Sequence, residues 1–394
     1  MYSRKIIARG VKRYEQSTGK KLVRHSVSAC RKAVALLDSL GCTEKCKCTT
    51  KSAVLCKEKR PNGLLPNEKE FIKNEIALCR LDFVYWCLRY VFVRHKETGQ
   101  LVLFVPNLAQ RIVLSIWAML EEKGLSIAFL SIKARQLGIS TLSEMAIAHR
   151  VQFQHNINSV VSSSDPEKSK LMAKMMEICW DNQPWWMVPE MTVRRAGQLM
   201  EFGKQNSAVS IQHGTQFSGI SRGSTVNACH LSELVDYDNP GELIDASLMG
   251  AKHESRHLFM ALESTAKGRD NWLHDAWRTA EERWPKTLLY PIFLAWFISD
   301  EGDMYPSKTY LTRNPIPDGW EPKSTTLKMR DTAELYVHTY PPVRKFLGSD
   351  WKMRLEQMWW WAGRLYVPSS TPRTNQHQPL QPSPSVPVHR VPGH

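Results

Sequence analysis

The sequence predicts an α/β fold in which a mostly parallel sheet is covered by helices on both faces, between a basic N-terminal arm and a proline-rich tail. Three observations predict it. From about residue 76, short apolar runs of strand length alternate with amphipathic stretches. The run at residues 126–132, Ser-Ile-Ala-Phe-Leu-Ser-Ile, reads as a strand buried in such a sheet. Three of the runs end in polar motifs, at the carboxyl ends where open parallel sheets bind ligands.

Taken in order, residues 1–75 form a basic, partly helical region with a helix at 28–40. Residues 76–298 form the main domain. Its strand at 126–132 is followed by a helix at 141–153 and a second strand at 158–161. Ser164-Asp165-Pro166-Glu167 then reads as a capping box opening a helix. That helix carries Met172, Met175, Met176 and Cys179 as a core stripe, not a ligand set. Further strands are expected at 208–212, 226–231, 257–262 and 288–297, and residues 299–367 read as a linker or lid subdomain. The last 27 residues, 368–394, hold seven prolines and no acid, which predicts a disordered tail.

A chain of 394 residues with 42% hydrophobic residues can bury a sizeable core, which excludes a wholly disordered chain. The best apolar stretch, 288–298, contains Tyr290 and Pro291 and falls well short of the roughly 18 residues that a membrane span needs. Basic residues near the start lack an apolar run behind them, so no secretory signal is expected, and the nine cysteines read as reduced cytosolic thiols. Cys229 reads as core, and His230 as a satisfied, partly buried histidine.

The net charge of +15 is uneven: residues 1–60 hold 16 Lys or Arg against four acids, a net +12. Such an arm suits phosphate contacts along nucleic acid, although a solvated basic face would look the same. Within it, Cys42, Cys46, Cys48 and Cys56 could close a structural Zn²⁺ site, but their C-x3-C-x-C-x7-C spacing is irregular and equally fits unpaired thiols.

The first strand runs into Lys133-Ala134-Arg135-Gln136-Leu137-Gly138-Ile139-Ser140-Thr141, which opens a helix. Against the phosphate-loop pattern G-x-x-x-x-G-K-[ST], Gly138 and Ser140 match, Lys133 replaces the first glycine, and Ile139 stands at the usual lysine. Loop amides, a helix N-terminus and one cation suffice physically to bind phosphate, and Lys133 and Arg135 can supply the charge. A basic strand-to-helix turn without a ligand would share these residues. Ser140 offers the hydroxyl that Mg²⁺ takes. A second strand ends in Ser232-Glu233, suited to holding a magnesium-bound water and polarising the attacking one. A third ends in Glu263-Ser264-Thr265-Ala266-Lys267-Gly268, whose hydroxyls can sense a γ-phosphate, and Gln110 upstream carries an amide able to read an adenine edge.

In order and spacing this set resembles the ATPase part of a tailed-phage terminase large subunit, over roughly residues 76–361. The matching pieces are Gln110, residues 135–141, residues 218–223 leading into His230-Leu231-Ser232-Glu233, residues 263–268 with Asn271 and Trp277, and residues 293–297. One branch of that family shares the displaced lysine and the Ser-Glu pair. The resemblance implies an ASCE-type P-loop NTPase fold and a DNA-translocating ATPase. It makes Gln110 the adenine contact and residues 133–141 the triphosphate cradle. Arg135 would sense the γ-phosphate, Ser140 and Ser232 would serve Mg²⁺, and Glu233 would be the catalytic carboxylate. Arg222 would be a trans-acting finger, and Ser264, Thr265 and Ala266 would couple hydrolysis to movement. The implied partners are double-stranded DNA, the portal protein, the terminase small subunit and further copies of the chain on the portal. The implied location is the bacterial host cytoplasm and, transiently, the procapsid, without a membrane. Family members continue into a two-metal nuclease domain, whereas here the tail follows; a truncated or frame-shifted gene without nuclease activity is therefore expected. The acids Asp300, Glu301 and Asp303 lie too early for that nuclease and read as a solvated turn. Two alternatives stand beside this one: a helicase-like nucleic-acid-dependent ATPase, and a non-catalytic basic DNA-binding protein with a decayed nucleotide site.

Overall fold

A computed structural model describes residues 2–39, 63–95, 98–195, 198–213, 226–242, 244, 258–268, 270–298, 306 and 308–365. The elements run α1 (Arg4–Thr18), α2 (Val27–Ser39), α3 (Pro66–Leu81), α4 (Phe83–Tyr90), β1 (Phe92–Arg94), β2 (Leu101–Leu103), α5 (Leu108–Glu122), β3 (Ile127–Lys133), α6 (Ile139–Phe153), β4 (Asn158–Ser163) and α7 (Pro166–Asp181). There follow β5 (Met191–Arg195), β6 (Leu199–Phe202), β7 (Ser207–His213), β8 (Ala228–Ser232), β9 (Phe259–Ser264), α8 (Trp272–Arg283), β10 (Tyr290–Leu294), α9 (Lys308–Arg313), α10 (Ser324–Thr339), α11 (Pro341–Leu347) and α12 (Leu355–Leu365).

Eight strands make one sheet in the order β10-β3-β9-β8-β4-β7-β6-β5. It is an α/β architecture with a mostly parallel central sheet flanked by helices. β4 pairs parallel with β7 on one side and β8 on the other, and the second pairing sets Ser163 opposite Ser232. All seven residues of β3 are buried, as its mostly apolar run predicts for a strand covered on both faces. β5 and β6 pair antiparallel at one edge, a hairpin the sequence did not announce.

The chain divides into two compact units. The first comprises Met1–Pro106, Trp117–Phe129 and Ser140–Leu262. Its core is aromatic: Trp117 meets Phe259, Phe129 and Tyr2 at ring-centroid distances of 5.1, 5.6 and 5.0 Å. Burial in this packing pushes the Tyr2 phenol up to about 12. The same residue ties α1 down, because the amides of Tyr2 and Ser3 both donate to the Glu121 carboxylate, at 2.7 and 2.8 Å. α7 begins with Pro166 at its first position and Asp165 as cap, whose Oδ1 accepts from the Glu167 amide at 2.9 Å. This corrects the expected capping box: Glu167 sits one position too early to reach back, so the cap is one-sided. Met172, Met176 and Cys179 are buried as core.

The second unit comprises Asn107–Ile116, Leu130–Ile139 and Glu263–His394. Here α10 lies on β10 through the Tyr336 hydroxyl, which donates to the Phe293 carbonyl. From α12, Gln357 Nε2 donates to the Phe297 carbonyl at 3.0 Å. Trp296 meets Trp360 at 4.9 Å, and Trp320 meets Trp359 at 5.1 Å. Among the described residues no helix is long and apolar enough to cross a membrane.

Candidate phosphate-binding loop and carboxylate

β3 delivers Lys133 to its end, and the Ala134 amide then donates to the Leu294 carbonyl at 2.9 Å, fixing where the chain leaves the sheet. Two residues of the following turn are left-handed, Gln136 (φ 67°) and Gly138 (φ 73°). Arg135 and Gln136 are exposed, whereas the side chains of Leu137 and Ile139 are buried. Ile139, at the position a lysine usually takes, therefore belongs to the core. Any part that Leu137 and Ile139 play toward a phosphate falls to their backbone.

The turn is held from α5. Asn107 caps that helix by accepting from the Gln110 amide at 2.9 Å, and Gln110 Oε1 accepts from the Asn107 amide at 2.9 Å. The leftover amide nitrogens both reach the loop: Asn107 Nδ2 donates to the Leu137 carbonyl at 3.2 Å and Gln110 Nε2 to the Gly138 carbonyl at 2.7 Å. Gln110 is only 3% exposed. For it to read an adenine edge, as expected from sequence, its amide would have to let go of the loop.

Lys133 is buried with its Nζ 3.8 Å from Glu263 Oε2, at the end of β9. A buried ammonium beside a buried carboxylate is held in place, because either charge left alone would be costly. Beyond Glu263, Ser264 is buried, and its hydroxyl donates to the Thr265 carbonyl at 3.1 Å. Thr265 and Ala266 are half-buried. Asn271 closes this loop: it caps α8 through the His274 amide at 3.1 Å and donates to the Lys267 carbonyl at 2.6 Å.

In the first unit, Ser140 and Thr141 are half-buried in the first turn of α6, and the Thr141 hydroxyl faces the Met175 sulfur at 3.8 Å. Deeper in that helix, Glu144 Oε1 lies 2.6 Å from His230 Nδ1 on β8, and both side chains are fully buried. His230 is therefore wholly buried, not partly as expected, and it ties α6 to the strand ending in Ser232-Glu233. Cys229 beside it is core, its thiol pushed up to about 12 by burial. Ser232 is buried and Glu233 half-buried. Glu233 holds a left-handed backbone (φ 59°, ψ 48°) ahead of a short 3₁₀ turn at Leu234–Asp236. For a glutamate this conformation costs about 1–2 kcal/mol. Tyr237 fixes the far end of that turn by donating to Ser162 Oγ at 3.2 Å.

The donor types suit a nucleotide. In the second unit a buried ammonium and a glycine turn sit at a helix start, the chemistry that binds phosphate. In the first unit, the hydroxyls of Ser140 and Ser232 are hard oxygen donors of the kind Mg²⁺ takes beside phosphate oxygens. Arg222 lies outside the described residues, as do Cys42, Cys46, Cys48 and Cys56, the acids Asp300, Glu301 and Asp303, and the tail. Among the described residues no His, Cys, Asp or Glu cluster could hold a metal by itself. The sequence reading missed Asn107 as a loop contact, Glu144 and Tyr237 entirely, and the pairing of Glu263 with Lys133.

No protein-family model matches the sequence, and no curated protein matches it. Solved structures do match. The large terminase ATPase domain of a Thermus phage is 14% identical, with 49% of this chain and 84% of that chain covered and a TM-score of 0.36. The HK97 bacteriophage large terminase is 12% identical, with 70% of this chain and 54% of that chain covered and a TM-score of 0.43.

Proposed function

We propose that this chain hydrolyses ATP to move double-stranded DNA, as the ATPase part of a phage packaging motor. The observation that carries the reading is the turn after β3. A left-handed glycine is pinned at a helix start, with a buried lysine at its mouth, although isoleucine stands where the usual ammonium would.

In this reading Lys133 and Arg135 neutralise phosphate oxygens while amides of residues 134–141 cradle them. Ser140 and Ser232 would hold Mg²⁺, which when bound would spread the negative charge of the reacting phosphoryl group. Glu233 orients a water and accepts its proton as the water oxygen bonds to the γ-phosphorus. The bond from that phosphorus to the β–γ bridging oxygen breaks, leaving ADP and inorganic phosphate. Ser264, Thr265 and Ala266 follow Glu263, whose carboxylate faces Lys133, so in this reading loss of the γ-phosphate is felt at the end of β9. Arg222 is proposed to act on the nucleotide of a neighbouring subunit.

The arm suits the DNA. Arg4, Lys5, Arg9, Lys12, Arg13, Lys20, Lys21 and Arg24 are all exposed, on or just beyond a helix anchored at its N-terminal end through the Tyr2 and Ser3 amides, although Lys5, Lys20 and Arg24 also pair with Glu122, Glu70 and Asp82. Each cation that meets a phosphate releases a counterion, so binding should weaken steeply with salt. The further partners proposed are a portal protein, a small terminase subunit and other copies of the chain, assembled at a procapsid in a bacterial cytoplasm.

The test is DNA-stimulated ATP hydrolysis by the wild type and Glu233→Gln. Loss of about 10²-fold or more in kcat with ATP affinity retained is expected. Equal rates would remove Glu233 from the reaction. DNA binding with no nucleotide affinity would leave a basic DNA-binding protein.

A further inference from the structure

We propose that Asn107 and Gln110 form a latch that sets the phosphate loop, and that Gln110 acts on nucleotide through the loop, not by touching the base. The inference rests on the nucleotide-binding reading above and assigns a positioning role within it. Asn107 and Gln110 stand at the N-cap and third positions of α5 and satisfy each other's amides, a reciprocal cap. Each side chain then has one amide nitrogen left, and the two are spent on successive carbonyls of the loop, Leu137 and Gly138.

The consequence follows from peptide geometry. In a planar trans peptide the C=O and the next N–H point in opposite directions. Pinning the Leu137 carbonyl toward α5 turns the Gly138 N–H away from it, and pinning the Gly138 carbonyl does the same for the Ile139 N–H. Two consecutive amides at the helix start are thereby aimed together, as an anion requires. Gly138 is what lets the latch close: a Cβ there would lie 2.7 Å from Gln110 Nε2 and 3.5 Å from Asn107 Nδ2, on a backbone at φ +73°. With its amide occupied on both sides and its side chain buried, Gln110 is committed to holding the loop.

Two variants separate this role from base reading. Asn107→Ser keeps a neutral N-cap oxygen for α5 but removes the donor to Leu137. Gln110→Ala removes the donor to Gly138. Titrations of the full chain with Mg-ATP and with Mg-GTP are expected to show each variant weakened on the order of tenfold, by the same factor for both nucleotides. The double variant should be weakened by clearly less than the product of the two single effects, because the two bonds act as one unit. Thermal melting of Asn107→Ser should stay close to wild type, which removes unfolding as the cause. Loss confined to ATP in Gln110→Ala, with GTP unchanged, would overturn the latch in favour of adenine recognition. Wild-type affinity in Asn107→Ser would overturn it as well. A wild type that bound neither nucleotide would instead refute the function on which the latch depends.

Discussion

Gly138 and Glu233 both hold left-handed backbones, and the contrast between them is informative. Glycine adopts that conformation at little cost, and its missing side chain admits the Gln110 amide. Glutamate adopts it only at a cost, so the left-handed backbone of Glu233 at the end of a buried strand is strained where the Gly138 backbone is not. His149 makes a different demand. It is fully buried in α6 among Phe83, Trp86 and Phe153, with Nε2 2.7 Å from the Cys79 carbonyl. Desolvation holds its imidazole well below the ordinary 6.5, so the folded protein carries it neutral. The unfolded chain takes up a proton below about pH 6.5 and the folded chain does not. Its contribution to stability is therefore complete above that pH and declines as pH falls, by at most about 1.4 kcal/mol per pH unit. His149→Gln should flatten the dependence of urea-unfolding free energy on pH between about 6.5 and 5. An unchanged slope would mean that the ring is charged in the fold or does not titrate differently there.

The elements were legible to different degrees. β3 announces itself through its mostly apolar run, Ile-Ala-Phe-Leu-Ser-Ile, and β4 through the Val160-Val161 pair between small polar residues. The β5–β6 edge hairpin does not, because Thr192, Arg194, Arg195 and Glu201 interrupt its apolar pattern where it meets solvent. The sequence predicts only a linker or lid subdomain where helices α10 to α12 lie, since what orders them is long-range contact such as Tyr336 on Phe293. The candidate phosphate loop was legible through Gly138, Ser140 and the nearby cations. Its support by Asn107, from 30 residues upstream, was not. Nor, within the first unit, was the Glu144–His230 pair, whose members lie 86 residues apart. A helical glutamate reads as a surface acid until its partner is known. Glu75 of α3 is another such case. Fully buried, it accepts from the Tyr90 and Tyr85 hydroxyls at 2.6 and 3.0 Å and lies 2.7 Å from His25 Nδ1. Burial and this carboxylate together push the Tyr90 phenol up. Next to it, Asn74 exchanges hydrogen bonds with the Val23 backbone at 2.8 and 2.7 Å. These contacts fasten the basic segment before α2 to α3. Glu75→Ala leaves several buried donors without an acceptor and should cost about 3 kcal/mol or more. It should also speed tryptic cleavage at Lys20, Lys21 and Arg24, whereas wild-type cleavage kinetics would show the segment to be held elsewhere.

At the level of the whole molecule, composition located the positive charge but could not say what it serves. An α/β sheet followed from the alternation of runs, and the order of motifs at strand ends pointed to a nucleotide motor. The motif itself fails as a pattern, because lysine stands at the start of the loop and isoleucine near its end. In the structure Ile139 is buried in the core at the first turn of α6, and Lys133 lies at the end of β3 beside Glu263. The central claim is that this displaced lysine replaces the usual one. Calorimetric titration of the full chain with Mg-ATP, beside Lys133→Ala, tests it most directly. Saturable binding by the wild type, weakened at least tenfold in Lys133→Ala, is the predicted result; no heat of binding from the wild type, or equal affinity in the two proteins, would contradict it.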